Sequence, residues 1–141
     1  MGIVYRIDKE KGISFALWHG VITADEFLRH AQRLLADPDW PAHRGVHLSD
    51  LQTANVDGSV DDAVLEEAAS LFGGHPKFSN LKVAILAQEE FERAVSFERF
   101  FLRYRLSMIV FNSLETACIW LGIDLKGTAL ALQSLRAALQ R

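Results

Sequence analysis

Leu81-Lys82-Val83-Ala84-Ile85-Leu86-Ala87 is apolar at every position but Lys82. It is too short for a buried helix and does not alternate, which predicts a strand covered on both faces, as strands of parallel sheets are. Upstream, residues 60–72 carry Val64, Ala68 and Leu71 beside Leu65, Ala69 and Phe72 at helical spacing. Asp61, Asp62, Glu66 and Glu67 come early there, where the helix dipole favours acids. Downstream, residues 89–104 are also helical, and Phe91, Ala94, Val95, Phe97, Phe100, Phe101, Leu102 and Tyr104 wrap more of that helix than one core-facing stripe needs. A doubly covered strand between two helices is the unit of an α/β fold.

Further out the pattern repeats. Residues 45–49 predict a short strand through Val46 and Leu48, followed by a loop over residues 50–59. Residues 108–111 predict another strand, and Asn112-Ser113-Leu114-Glu115 supplies a capping box for a helix that Gly122 ends. Residues 128–140 form a last amphipathic helix through Leu132, Leu135 and Leu139.

At the other end, residues 2–8 and 13–19 alternate with period two around the charged turn Asp8-Lys9-Glu10-Lys11-Gly12, which predicts an antiparallel hairpin. Thr23 and Glu26 form a capping box, and the helix that follows stops at Asp37-Pro38-Asp39-Trp40-Pro41. The expected fold is α/β: a mixed five-stranded sheet with an N-terminal antiparallel hairpin, then parallel βαβ crossovers, covered by helices. One domain spans 1–141, with a core at about 3–122 and an added C-terminal helix over 123–141.

The 141 residues are half hydrophobic and 23% charged, enough apolar material to fold without metals or disulfides. A net charge of −3 argues against a sequence-independent grip on nucleic acid, which needs a surplus of Lys and Arg. No apolar run reaches the ~20 residues of a membrane span. The lone Cys118 has no internal disulfide partner, and the start Met1-Gly2-Ile3-Val4-Tyr5-Arg6 lacks the pattern of a signal peptide, so a cytoplasmic location is expected.

Chemistry-bearing patterns are sparse. His19, His30, His43, His47 and His75 show no metal-ligand spacing, so no metal or other cofactor is expected. Ser49, Asp50, His47 and Cys118 can be assembled on paper into a hydrolase, but no Gly-x-Ser-x-Gly elbow surrounds a serine and Cys118 sits on an apolar helix face. Arg93, Arg99, Arg103 and Arg105 fall in one segment with Phe97, Phe100 and Tyr104, a mixture suited to an anionic ligand or a protein surface, or simply to a solvated face.

The hairpin leading into Gly20-Val21-Ile22-Thr23, the Asp37-Pro38-Asp39-Trp40 helix exit, His47-Leu48-Ser49-Asp50-Leu51 and Lys82-Val83-Ala84-Ile85-Leu86 together resemble the SpoIIAA-like proteins. The pairing of Val110-Phe111 with Glu115-Thr116-Ala117-Cys118-Ile119-Trp120-Leu121 belongs to the same resemblance. These proteins are related to STAS domains of anti-sigma-factor antagonists and are grouped with Sec14-type lipid-binding folds. The resemblance implies the α/β architecture, and for STAS antagonists a phosphorylated serine at the start of the helix after the third strand, in an Asp-Ser-Ser-Gly type stretch. The counterpart here is Ser59 in Asp57-Gly58-Ser59-Val60, which departs from that motif at Gly58 and Val60. Ser59 also reads simply as a helix N-cap.

Two functions follow as expectations. The first is a non-enzymatic, STAS-like interaction or regulatory module, self-associating as a homodimer through Phe97, Phe100 and Tyr104 or through the C-terminal helix, or binding a protein partner. The second is a carrier for a small apolar, lipid-type or anionic ligand, with its pocket at the carboxyl ends of the strands beside Ser49 and Asp50.

Overall fold

The computed structural model describes residues 2–76 and 81–140. The strands are β1 (Ile3–Asp8), β2 (Ile13–Ile22), β3 (Val46–Val56), β4 (Lys82–Leu86) and β5 (Ser107–Phe111). The helices are α1 (Ala24–Ala36), α2 (Asp62–Gly73), α3 (Phe91–Leu102), α4 (Leu114–Leu121) and α5 (Leu125–Leu139). The sheet runs β1-β2-β3-β4-β5, with β1 antiparallel to β2 and every later pair parallel. The expected mixed α/β sheet is therefore the one found.

Because the strands are added in sequence order, crossovers of one hand must all fall on one side. Accordingly α1, α2 and α3 bury Phe27, Leu65, Phe72, Phe97 and Phe101 against one face of the sheet. On the other face, α4 and α5 bury Ala117, Leu121, Leu132 and Leu135 against Ile13, Phe15, Leu17 and Leu48. The segment after residue 122 thus contributes to a core of its own. Lys82, the polar exception in the central apolar stretch, carries its ammonium 4.5 Å from the Trp120 ring centroid and donates to the Trp120 carbonyl at 2.8 Å.

The hairpin turns as its sequence predicts. Gly12 has φ of +72°, a conformation that favours glycine, and a Cβ there would also displace the exposed His43 ring, 2.5 Å away. Thr23 caps α1 by accepting from the Glu26 amide at 3.3 Å. The reciprocal half of that capping box is absent, because the Glu26 carboxylate accepts from the Gly2 amide at 3.1 Å instead. Ser113 precedes α4 without a side-chain cap, its carbonyl accepting from the Thr116 hydroxyl. The N-cap of α2 is Asp61, whose carboxylate accepts from the Val64 amide at 3.0 Å, and not Ser59.

The main departure from expectation is β3. A loop was expected over residues 50–59, yet the strand continues to Val56. Beyond the pair Leu17–Asp50, β3 carries one extra residue before pairing resumes at His19–Thr53 and runs to Ile22–Val56. That irregularity shifts the alternation, so Leu51, Ala54 and Val56 face the core while Gln52, Thr53 and Asn55 face solvent. β4 stops opposite Asp50, which leaves the far edge of residues 51–56 without a neighbouring strand. Side chains from the start of α3 fill the gap: Glu90 accepts from the Val56 amide at 2.7 Å, and Arg93 donates to the carbonyls of Val56 and Asp57.

Candidate functional site

Polar side chains in the middle of an apolar sheet need partners, and three of them find one another. Ser14 on β2 and His47 and Ser49 on β3 all point to the face covered by α1–α3, and all are buried. The Ser14 hydroxyl lies 2.6 Å from His47 Nδ1, and His47 Nε2 lies 3.2 Å from Ser49 Oγ. Trp40, turned inward after the α1 exit, donates its Nε1–H to His47 Nδ1 at 3.4 Å.

This geometry sets the tautomer. An indole N–H can only donate, so His47 Nδ1 must accept, and the Ser14 hydroxyl, which has the Val46 carbonyl at 3.4 Å and Nδ1 at 2.6 Å, gives its proton to the nearer acceptor. The ring proton therefore sits on Nε2 and is donated to Ser49 Oγ. Burial lowers the His47 pKa to about 4, which keeps the ring neutral near pH 7. Ser49 Oγ then accepts from His47, and its own proton finds no acceptor among the described residues.

His47 and Ser49 form part of the wall of a cavity of about 60 Å³ between the sheet and α1–α3. The remaining wall is nearly all carbon, from side chains such as Phe27, Leu34, Val83, Ile85, Phe97 and Met108. His30 also lines it, packed edge-on against Tyr5 and Trp18. Burial, and then the nearby His47 and Arg33, lower the His30 pKa to about 3. Trp18 is a further part of the wall, and its buried Nε1–H has no hydrogen-bond partner among the described residues. At neutral pH both imidazoles of the wall are therefore uncharged, and the charged side chains that line it, Glu90 and Arg93, lie at its outer end.

The cavity approaches the surface where α2 begins and α3 starts. Val60, Leu65, Glu90 and Arg93 belong both to its wall and to an open groove lined by Asp61, Asp62, Glu89 and Glu92. Arg93 is spent on the backbone of Val56 and Asp57, so the approach is dominated by carboxylates.

The residues singled out from sequence fall in different places. Ser49 and Asp50 were expected to share one pocket at strand ends. They are consecutive in mid-strand, so their side chains point to opposite faces. Asp50, buried on the α4–α5 face, accepts from the Gln52 amide at 2.9 Å and from Arg136 on α5 at 3.4 Å. Burial raises its pKa above the usual carboxylate range, against those two contacts. Cys118 is buried on α4, where burial raises its thiol pKa. The paper hydrolase of His47, Ser49, Asp50 and Cys118 is thus split across the sheet.

Ser59 is exposed in the turn after β3. Its hydroxyl accepts from the Ala24 amide at 3.0 Å, and its amide donates to Asp57 at 2.6 Å. Of the three residues expected to face a partner, Phe97 points into the core against Phe27 and Phe101. Phe100 is half-buried against the same core and Tyr104 is 39% exposed. His19 pairs with Thr53, and among the described residues no three His, Cys, Asp or Glu side chains gather as metal ligands. No described helix is long and apolar enough to cross a membrane. Ser14 and Trp40 were not singled out from sequence, since a serine inside an apolar strand and a tryptophan between prolines signal nothing until the fold sets both against His47.

No family model matches the chain, and no curated protein matches it. Among solved structures it is similar to an uncharacterized protein of the DUF3478 family, with a SpoIIAA-like fold, from Shewanella loihica PV-4. The TM-score is 0.54 at 17% identity, over 85% of this chain and 94% of that one. The likeness is one of fold: the chain has a SpoIIAA-like fold, as its sequence resemblance implies.

Proposed function

We propose that this protein is a non-enzymatic binding module that holds a compact, uncharged molecule in the cavity between the sheet and α1–α3. The observation that carries the reading is the cavity itself, walled mostly by carbon and floored by His47 and Ser49, the two members of the polar row that reach it. Native interiors are close-packed, so space of this size beside buried polar groups calls for an occupant. The His47 tautomer supports a non-catalytic role. A general base must offer a lone pair to an accessible nucleophile; Nε2 offers Ser49 a proton instead, and Ser14, whose proton Nδ1 accepts, is fully buried and stands outside the cavity wall.

Methyl NMR under xenon pressure tests the cavity. Saturable shifts are expected at Ala31, Val56, Val83 and Ile85, which line it, and not at Leu130 or Ile119 on the outer surface. Lining methyls that stay unmoved across the pressure range would remove the reading.

A second reading, a protein-interaction module, draws support from the outer end of α3. There Leu102 is 61% exposed beside Tyr104. The two are compatible, since an occupied cavity beneath α3 is a means of reporting a ligand to a partner docked on that helix.

A further inference from the structure

We infer that the molecule taken up is neutral, of about four heavy atoms and five at most, and carries one hydrogen-bond acceptor, a carbonyl or ether oxygen, that receives the hydroxyl proton of Ser49. This deepens the proposed function and rests on it. Size follows from the cavity, whose 60 Å³ is about four times the ~15 Å³ that one water needs by the same measure.

Polarity follows from the directed row. Ser14 donates to His47 Nδ1 and His47 Nε2 donates to Ser49 Oγ, so every member but the last has its proton placed. The Ser49 proton is the loose end, in a wall that also carries the unpartnered Trp18 Nε1–H. An unmet donor in an apolar space is costly, and an acceptor supplied by the occupant removes that cost.

Negative charge is excluded both at the entrance and inside, and a cation inside would face the donor hydrogens of Ser49 and Trp18. An anion entering past Asp61, Asp62, Glu89 and Glu92 crosses a negative groove and arrives where both imidazoles are neutral. Among the described residues the one cation in the wall is Arg93, already bound to the carbonyls of Val56 and Asp57. A carboxylate would therefore be buried without a counter-charge. This narrows the carrier expected from sequence, which allowed an anionic ligand.

The test compares 2-butanone with 2-methylbut-1-ene, the same shape with CH₂ in place of oxygen, by titration followed at the methyls of Val56, Val83 and Ile85. The wild-type protein is expected to bind the ketone roughly fivefold to tenfold more tightly, the difference that one hydrogen bond makes. Ser49→Ala is expected to erase that preference while still binding the alkene. Long-range proton–nitrogen spectra should place the His47 proton on Nε2. Equal binding of ketone and alkene by the wild type, or a proton on Nδ1, overturns the ligand class and leaves the cavity reading intact. If neither compound binds, the cavity reading falls and this inference with it. Should Ser49→Ala fail to fold, the wild-type comparison still decides.

Discussion

The two faces of the sheet bury polar groups by opposite means. On the α1–α3 face the buried groups are neutral, joined in a row of hydroxyls and imidazole, and they border the cavity. On the α4–α5 face one carboxylate, Asp50, is 1% exposed and is met by Arg136. An ion pair of that kind fixes one helix against the sheet, because either charge left alone is expensive. A row of neutral donors tolerates a vacancy and can accept a guest. The contrast explains why the cavity lies under α1–α3, and it identifies α5 as the fixed element.

The contrast is most exposed to acid. Unfolded histidine titrates near 6.5, whereas His47 and His30 in the native protein take protons only at about 4 and about 3. Between these values the unfolded chain binds more protons, so stability is fully present above about pH 6.5 and is lost as pH falls. From pH 7 to pH 5 the two rings together should remove about 4 kcal/mol, read from urea midpoints. A midpoint that does not move over that range would show that the rings are not held neutral.

Arg136→Met probes the other face. At pH 7 it strands the Asp50 carboxylate and should cost about 3 kcal/mol. Because burial already raises the Asp50 pKa, the carboxylate without its partner takes a proton more readily, so the cost should shrink on acidification. A penalty independent of pH between 7 and 4 would mean that packing, and not charge, holds α5.

The smallest effect is expected outside both faces. Leu102→Gln, at a position 61% exposed, should change stability by no more than about 0.5 kcal/mol. If α3 mediates self-association, sedimentation of the wild type from micromolar to millimolar concentration will show a dimer that this substitution weakens. A wild type that stays monomeric throughout ends that part of the interaction reading.

The architecture was legible because each element carries its own punctuation. The Thr23 cap, the proline stop after α1 and the apolar run of β4, broken only by Lys82, are local signals with local causes. The site was less legible. Ser49 was singled out, but at a strand end beside Asp50, because residues 50–59 look polar until the irregularity after Asp50 is known to shift their alternation. His47 read as an isolated strand histidine because Ser14 and Trp40 reach it from 33 and 7 residues away, through pairing that only the folded sheet creates. The aromatic surplus of α3 read as an outward face, yet Phe97 and Phe101 are consumed inward, since three helices share one side of the sheet and fill the space between them with rings.

The unpaired margin of β3 bears on how a guest gets in. Between neighbouring strands the sheet is sealed by main-chain ladders, but on the β4 side of Val56 the seal consists of one carboxylate and one guanidinium at the start of a helix. Swinging those two side chains aside breaks no strand pairing, so this corner can breathe at far lower free energy than the protein unfolds. The Val56 amide, shielded only by Glu90, should then trade its hydrogen for deuterium well ahead of the amides of β4.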